Sequence, residues 1–218
     1  MHAYGRMPLR ISSRSLEHDI ENELAQKGSG IWLVGLQPSH IFAQAVRHVI
    51  PGGVIGELVV KKIERNDGMW WAAHRYAAGF CRLPRNGLLE FEIVSGSPQF
   101  VARIPYNTIA HLEQLNHGRV YAECDPAETL RIEGNGVWLV ELRLGYSFEH
   151  SLRNGRLQLC VSDLEEAGRT HVAGFYYNSY QLENKALRLE IVPYLPGLSV
   201  KIPYSTIERV EKLRELPF

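Results

Sequence analysis

The apolar positions of this chain fall mostly in short runs rather than in long helical stripes. Ile31 to Leu36 and Val137 to Leu142 are each about six residues long and follow glycine-rich segments, as a buried strand does. Gly56 to Ile63 and Gly155 to Val161 predict a second strand type, with Leu157, Leu159 and Val161 alternating. Leu88 to Val94 and Ala186 to Val192 predict a third. In the latter, Leu187, Leu189 and Ile191 take one face, and Arg188 and Glu190 take the other. Phe100 to Ile104 and Leu198 to Ile202 predict a fourth. Pro98 and Pro196 precede them and belong in connections, because proline cannot donate to a ladder. Short strands at this spacing imply antiparallel sheets closed as a barrel or sandwich.

Helical spacing occurs in three places. Leu16, Ile20 and Leu24 predict an amphipathic helix over Ser15 to Gln26, ended by Lys27-Gly28. It has no evident partner in the second half, so it caps one unit or supports a dimer. Ile207, Val210 and Leu213 follow Ser205, which lies three residues before Glu208 as in a capping box. Ile109, Leu112 and Leu115 follow Asn107 in the same way. Each half is therefore expected to close with a short helix. The expected class is α+β, mainly antiparallel β.

The same features recur in order along the chain. Between Gly28–Leu36 and Gly134–Leu142, six of nine positions are identical. Ala78-Gly79-Phe80 matches Ala173-Gly174-Phe175, and Glu92-Ile93-Val94 matches Glu190-Ile191-Val192. Ile104-Pro105-Tyr106 with Thr108-Ile109 matches Ile202-Pro203-Tyr204 with Thr206-Ile207, and Glu113 and Leu115 match Glu211 and Leu213. Between its Trp and its Ile-Pro-Tyr the first half is eight residues longer, a difference that belongs in loops. The expected organisation is an arm over 1–27, one β-rich repeat over 28–116, a connector over 117–133 with a strand at Arg119 to Glu123, and a second repeat over 134–218. Two copies make a duplicated domain rather than a solenoid.

Composition narrows the function classes. Hydrophobic residues at 45% with no net charge exclude bulk disorder. Lys plus Arg and Asp plus Glu number 24 each, which argues against non-specific nucleic-acid binding. There is no apolar run of spanning length and no apolar signal core at the N-terminus, so a cytoplasmic protein is expected. Cys81, Cys124 and Cys160 are too scattered for a disulfide framework or a metal motif. Neither a cofactor nor a metal site is expected.

Matched residues such as Trp32 and Trp138 are expected in the core, where an indole buries a large area. Function is expected on unmatched residues. The segment holding Trp70, Trp71, His74, Arg75 and Tyr76 is rich in side chains that interfaces favour. The segment holding Tyr176, Tyr177 and Tyr180 is its aromatic counterpart. His40, His48 and His74 lack counterparts in register and are the candidates for a catalytic site. Glu165 and Glu166 look like solvated loop carboxylates.

Arg10-Ile11-Ser12-Ser13-Arg14 resembles the RxxxR motif of PilZ domains, β-barrels that bind a cyclic dinucleotide. The resemblance implies forked hydrogen bonds from Arg10 and Arg14 to phosphates. The family's second motif departs from pattern: Asp163 to Gly168 keeps its ends, but Glu165 replaces the serine, and the segment lies in the wrong half. The closing Ile-Pro-Tyr segment resembles parts of small PH-like β-domains over about a dozen residues per repeat and carries no functional residue. The leading expectation is thus a non-catalytic binding protein for another protein or a small ligand. It would use the aromatic segments or the groove between repeats. A hydrolase-like enzyme using the first repeat's histidines is the alternative, with cyclic-dinucleotide binding third.

Overall fold

A computed structural model describes residues 13–46, 56–63, 69–81, 87–95, 100–116, 125–153, 156–164, 169–177, 185–195 and 198–217. Arg10, His48, Pro98, Cys124, the Arg119–Glu123 segment, Glu165, Glu166, Tyr180 and Pro196 lie outside the described residues, as do the side chains of Arg14, Leu16 and Trp70.

The chain opens with helix α1 (Ser13–Lys27) and strands β1 (Gly30–Leu36), β2 (His40–Val46) and β3 (Gly56–Lys62). A short helix α2 (Met69–Ala73) leads into β4 (Tyr76–Cys81), β5 (Leu88–Glu92), β6 (Phe100–Pro105) and β7 (Ile109–Leu115). Helix α3 (Pro126–Glu133) then precedes β8 (Gly136–Leu142), β9 (Tyr146–Arg153), β10 (Arg156–Asp163), β11 (His171–Tyr176), β12 (Ala186–Glu190), β13 (Ser199–Pro203) and β14 (Ile207–Arg214). The fold is β-rich α+β. Among the described residues it holds two seven-stranded sheets, β2-β3-β6-β5-β4-β1-β7 and β9-β10-β13-β12-β11-β8-β14.

The two strand orders coincide when each sheet is numbered from its own first strand, and the registers coincide too. Trp32 pairs with Gly79 and Ile31 with Phe80, while Trp138 pairs with Gly174 and Val137 with Phe175. Leu89 faces Ile104 as Leu187 faces Ile202. Each sheet contains one parallel pair, β3 with β6 and β10 with β13, so the sheets are mixed rather than purely antiparallel. Among the described residues neither sheet closes as a barrel: β2 and β7 edge the first, β9 and β14 the second.

The expected closing helices are strands. Tyr106–Thr108 and Tyr204–Thr206 form single 3₁₀ turns, and the chain then continues as β7 and β14. Neither turn carries a side-chain cap at its start. The hydroxyls of Thr108 and Thr206 instead donate to the carbonyls of Pro105 and Pro203, both at 2.7 Å. The helical spacing comes from bulges. Leu36 pairs with Ile109 and Gly35 with His111, so Ala110 is inserted. Leu142 pairs with Ile207 and Glu141 with Arg209, so Glu208 is inserted. An extra residue puts positions i and i+3 on one face of a strand, and Ile207 and Val210 duly share one buried cluster.

The segment expected to be a connector, for which no helix is predicted, holds α3, which corresponds to α1. Asp125 Oδ1 caps it by accepting from the Ala127 backbone N–H at 2.8 Å. Both helices end on a glycine at positive φ, Gly28 at 73° and Gly134 at 69°, a conformation costly to other residues. The Gly28 and Gly134 N–H groups donate to the carbonyls of Leu24 and Leu130, each eight residues before its tryptophan and buried. Asp125-Pro126 is a start signal for this helix, but the exposed charges around a single buried leucine hide its apolar face in the sequence.

Strands β1 and β8 are buried on both faces, hence their largely apolar runs, which in β8 only Glu141 interrupts. Trp32, Val34 and Leu36, like Trp138, Val140 and Leu142, face the main core. Ile31 and Leu33 on the opposite face meet Val137 and Leu139, with Ala78, Ala173, Phe175 and Leu115. This second cluster joins the sheets. A Val94–Val172 bridge and a bond from the Ser95 N–H to the His171 carbonyl (3.1 Å) add backbone links. Among the described residues, no helix is long and apolar enough to cross a membrane.

Candidate functional site

The first aromatic segment bends into α2 and the start of β4. Trp71 is half-buried and stands edge-on to the His74 ring, centroids 6.2 Å apart. His74 is only 2% exposed. Its Nε2 lies 2.8 Å from the Tyr194 carbonyl, which can only accept, so that nitrogen carries the proton. Burial lowers the pKa of His74, opposed by that bond. Arg75 is half-buried, and its carbonyl accepts from the Leu36 N–H at 2.8 Å. Tyr76 lies half-buried against Gly35.

The second aromatic segment is interior. Tyr176 is 2% exposed and packs edge-on to Trp138, and Tyr177 is 5% exposed with its ring centroid 5.3 Å from that of Tyr194. The two segments converge on Tyr194, a non-glycine residue at φ 57°, whose N–H donates to Glu190 Oε2 at 2.8 Å. These residues join the sheets, and burial takes Tyr176 and Tyr177 off any exposed recognition surface. Of the other histidines expected to matter, His40 contacts the Ser39 hydroxyl at 3.0 Å, and burial followed by the charge of Lys62 lowers its pKa. Among the described residues, no cluster of His, Cys, Asp and Glu suits a metal ion.

A groove of about 630 Å³ opens between the sheets. Ile31, Phe80 and Leu115 line it from the first sheet and Leu139 from the second, with Gln114 and Asn116 at the end of β7. Its charged side chains are Glu141, Arg169 and Arg209, beside His171. Arg169 Nη1 donates to Glu141 Oε1 at 2.9 Å, and His171 Nε2 lies 3.7 Å from Glu141 Oε2. Arg209 Nη2 donates to Glu211 Oε2 at 2.9 Å. Glu141 and Glu211 are 5% and 1% exposed, so each buried carboxylate is held by a guanidinium, as burial of charge requires.

A smaller groove of about 400 Å³ occupies the corresponding place on the first sheet, lined by Gly35, Tyr76, His111 and Arg214 among others. By register, Gly35 stands where Glu141 stands, Tyr76 where His171 stands, and His111 where Arg209 stands. A Cβ on Gly35 would lie 2.8 Å from Tyr76 Cε1, so the tyrosine ring takes the room that the Glu141 side chain uses. Glu113 accepts from His111 Nε2 at 3.0 Å and pairs with Arg214 from β14.

Sequence reasoning missed Glu141, Arg169 and Arg209. One signal was present: Glu141 is the only charge within the run Val137 to Leu142. A charge inside a strand buried on both faces demands a partner.

The chain matches no family model, no curated protein and no solved structure.

Proposed function

We propose that this chain is a non-catalytic binding protein, built by duplication of one β-rich unit, whose recognition site is the larger groove between the two sheets. The observation that carries this reading is where the halves agree and where they differ. They agree at packing positions: Trp32 with Trp138, Gly79 with Gly174, Thr108 with Thr206. They differ at Gly35, Tyr76 and His111 against Glu141, His171 and Arg209, the positions facing the grooves. Packing alone preserves the first set; a task performed on one side accounts for the second. The groove's volume, and its combination of an apolar patch with polar and charged side chains, suit a bound ligand or an inserted side chain. The enzyme alternative drew on His40, His48 and His74, and His74 is engaged in joining the sheets.

The test is a fragment screen by ligand-observed NMR, followed by mapping on the amide spectrum. Binders should perturb Gln114, Asn116, Leu139 and His171. They should be lost in Asn116→Trp, which fills the groove from an exposed position. Binders that cluster elsewhere and ignore Asn116→Trp would refute the groove as the recognition site.

A further inference from the structure

We infer that the groove takes a carboxylate carried on an apolar body, with Arg169 and Arg209 holding the carboxylate. This deepens the binding reading above and rests on it. The inference starts from the layering of charge. Both glutamates are inside, 5% and 1% exposed, while the Arg169 side chain is 64% exposed and that of Arg209 31% exposed. What a ligand meets first is therefore guanidinium, backed by a carboxylate. Each arginine is tied through one terminal nitrogen, Nη1 of Arg169 to Glu141 and Nη2 of Arg209 to Glu211, both at 2.9 Å. A guanidinium has five N–H donors in a rigid fork, and a fork anchored at one tine is oriented before any ligand arrives.

Each guanidinium is matched by one buried carboxylate, Arg169 by Glu141 and Arg209 by Glu211, so an anion is received by the N–H donors these pairs leave over, and a monoanion adds the least uncompensated charge. The planar fork matches a carboxylate, while a phosphate dianion would bring excess negative charge beside Glu141. Ile31, Phe80, Leu115 and Leu139 supply an apolar floor, which asks for a hydrocarbon or aromatic body behind the anion. A small organic acid and the free C-terminus of a polypeptide with an apolar last residue share this chemistry.

The experiment uses the full chain and four probes: 4-phenylbutyrate, its amide, and the peptide acetyl-Ala-Ala-Leu-Phe with a free or an amidated C-terminus. Affinities are read by calorimetry and amide shifts in the wild type, Arg169→Gln, Arg209→Gln and Asn116→Trp. Each acid should bind at least about tenfold more tightly than its amide, the effect expected of a charge-assisted bond. Either glutamine variant should remove that preference, weakening the acids by about tenfold more than the amides. Because Arg169→Gln leaves Glu141 unpaired, Glu141→Gln/Arg169→Gln is measured beside it and should lose the preference equally. A peptide acid stronger than phenylbutyrate by tenfold or more assigns the site to chain ends; the reverse order assigns it to small acids. Equal binding of acid and amide, insensitivity to both arginines, or no binding of either acid at millimolar concentration would overturn the carboxylate assignment. The groove reading fails separately, if probe binding survives Asn116→Trp.

Discussion

Trp138 stands across the β8–β11 ladder from Gly174, a fully buried indole paired with a residue that has no side chain. A Cβ at position 174 would lie 3.0 Å from Leu189 Cβ and 3.1 Å from the Glu190 carbonyl oxygen. That contact is with a neighbouring strand, which can yield only by shifting the ladder. Gly174→Ala is therefore expected to cost about 1–3 kcal/mol, the usual penalty for overpacking a core. Urea unfolding followed by circular dichroism measures it, and a neutral result would contradict the tight approach of β11 to β12.

Trp32 and Trp138 are both 0% exposed and face the main core from equivalent strand positions. Truncation to alanine at either site should cost about 3–5 kcal/mol. The two losses should be similar. A loss below 1 kcal/mol at one site alone would show that its indole is not a core residue.

The hydroxyls of Thr108 and Thr206 each close a turn onto a proline carbonyl. Replacement by valine keeps the shape and removes the bond, so each variant should lose about 1 kcal/mol. The sites lie in different sheets, and the double variant should show the sum within about 0.5 kcal/mol. Denaturation midpoints of the three variants decide it.

Burial is the leading cause that lowers the pKa values of His40, His74 and His111 from the ordinary 6.5. The unfolded chain then takes up protons before the folded one does. Stability is therefore level above pH 6.5 and falls as the pH drops from there towards the folded values. The melting temperature should decline between pH 7.5 and 5.5, and less so in His74→Gln, whose amide can still donate to the Tyr194 carbonyl.

Glu190 behaves in the opposite sense. Burial raises its pKa above 4.5, against the Tyr194 N–H and Arg188. The charged form is disfavoured in the fold, so a stability cost is present above the raised pKa and relieved below 4.5. Glu190→Gln keeps an acceptor for the Tyr194 N–H. It should be more stable than wild type at pH 7, with the difference vanishing near pH 4. A gain that persists unchanged at low pH would point to a cause other than ionisation.

Much of the strand content was legible in the sequence, because strands buried on both faces leave short, mostly apolar runs. The repetition of the matched segments in one order could be read from the chain, but not the pairing of Trp32 with Gly79 or of Trp138 with Gly174. The closing strands could not. Ala110 and Glu208 insert one residue each, and a bulged strand then shows the three-residue spacing of a helix. Helix α3 escaped because a single buried leucine, Leu130, does the anchoring. The site was less legible still. Aromatic density pointed to Tyr176 and Tyr177, yet an aromatic ring is as useful for joining two sheets as for meeting a partner. Glu141, Arg169 and Arg209 come together from β8, the approach to β11, and β14, a convergence that spacing along the chain does not encode.

Cross-strand nuclear Overhauser contacts at the two tryptophans test the underlying plan most directly. One packing scheme used twice predicts backbone contacts between Trp32 and Gly79 and between Trp138 and Gly174, with Phe80 and Phe175 each one step away opposite Ile31 and Val137. A one-residue offset between the two ladders, or contacts at one tryptophan without the other, would contradict it.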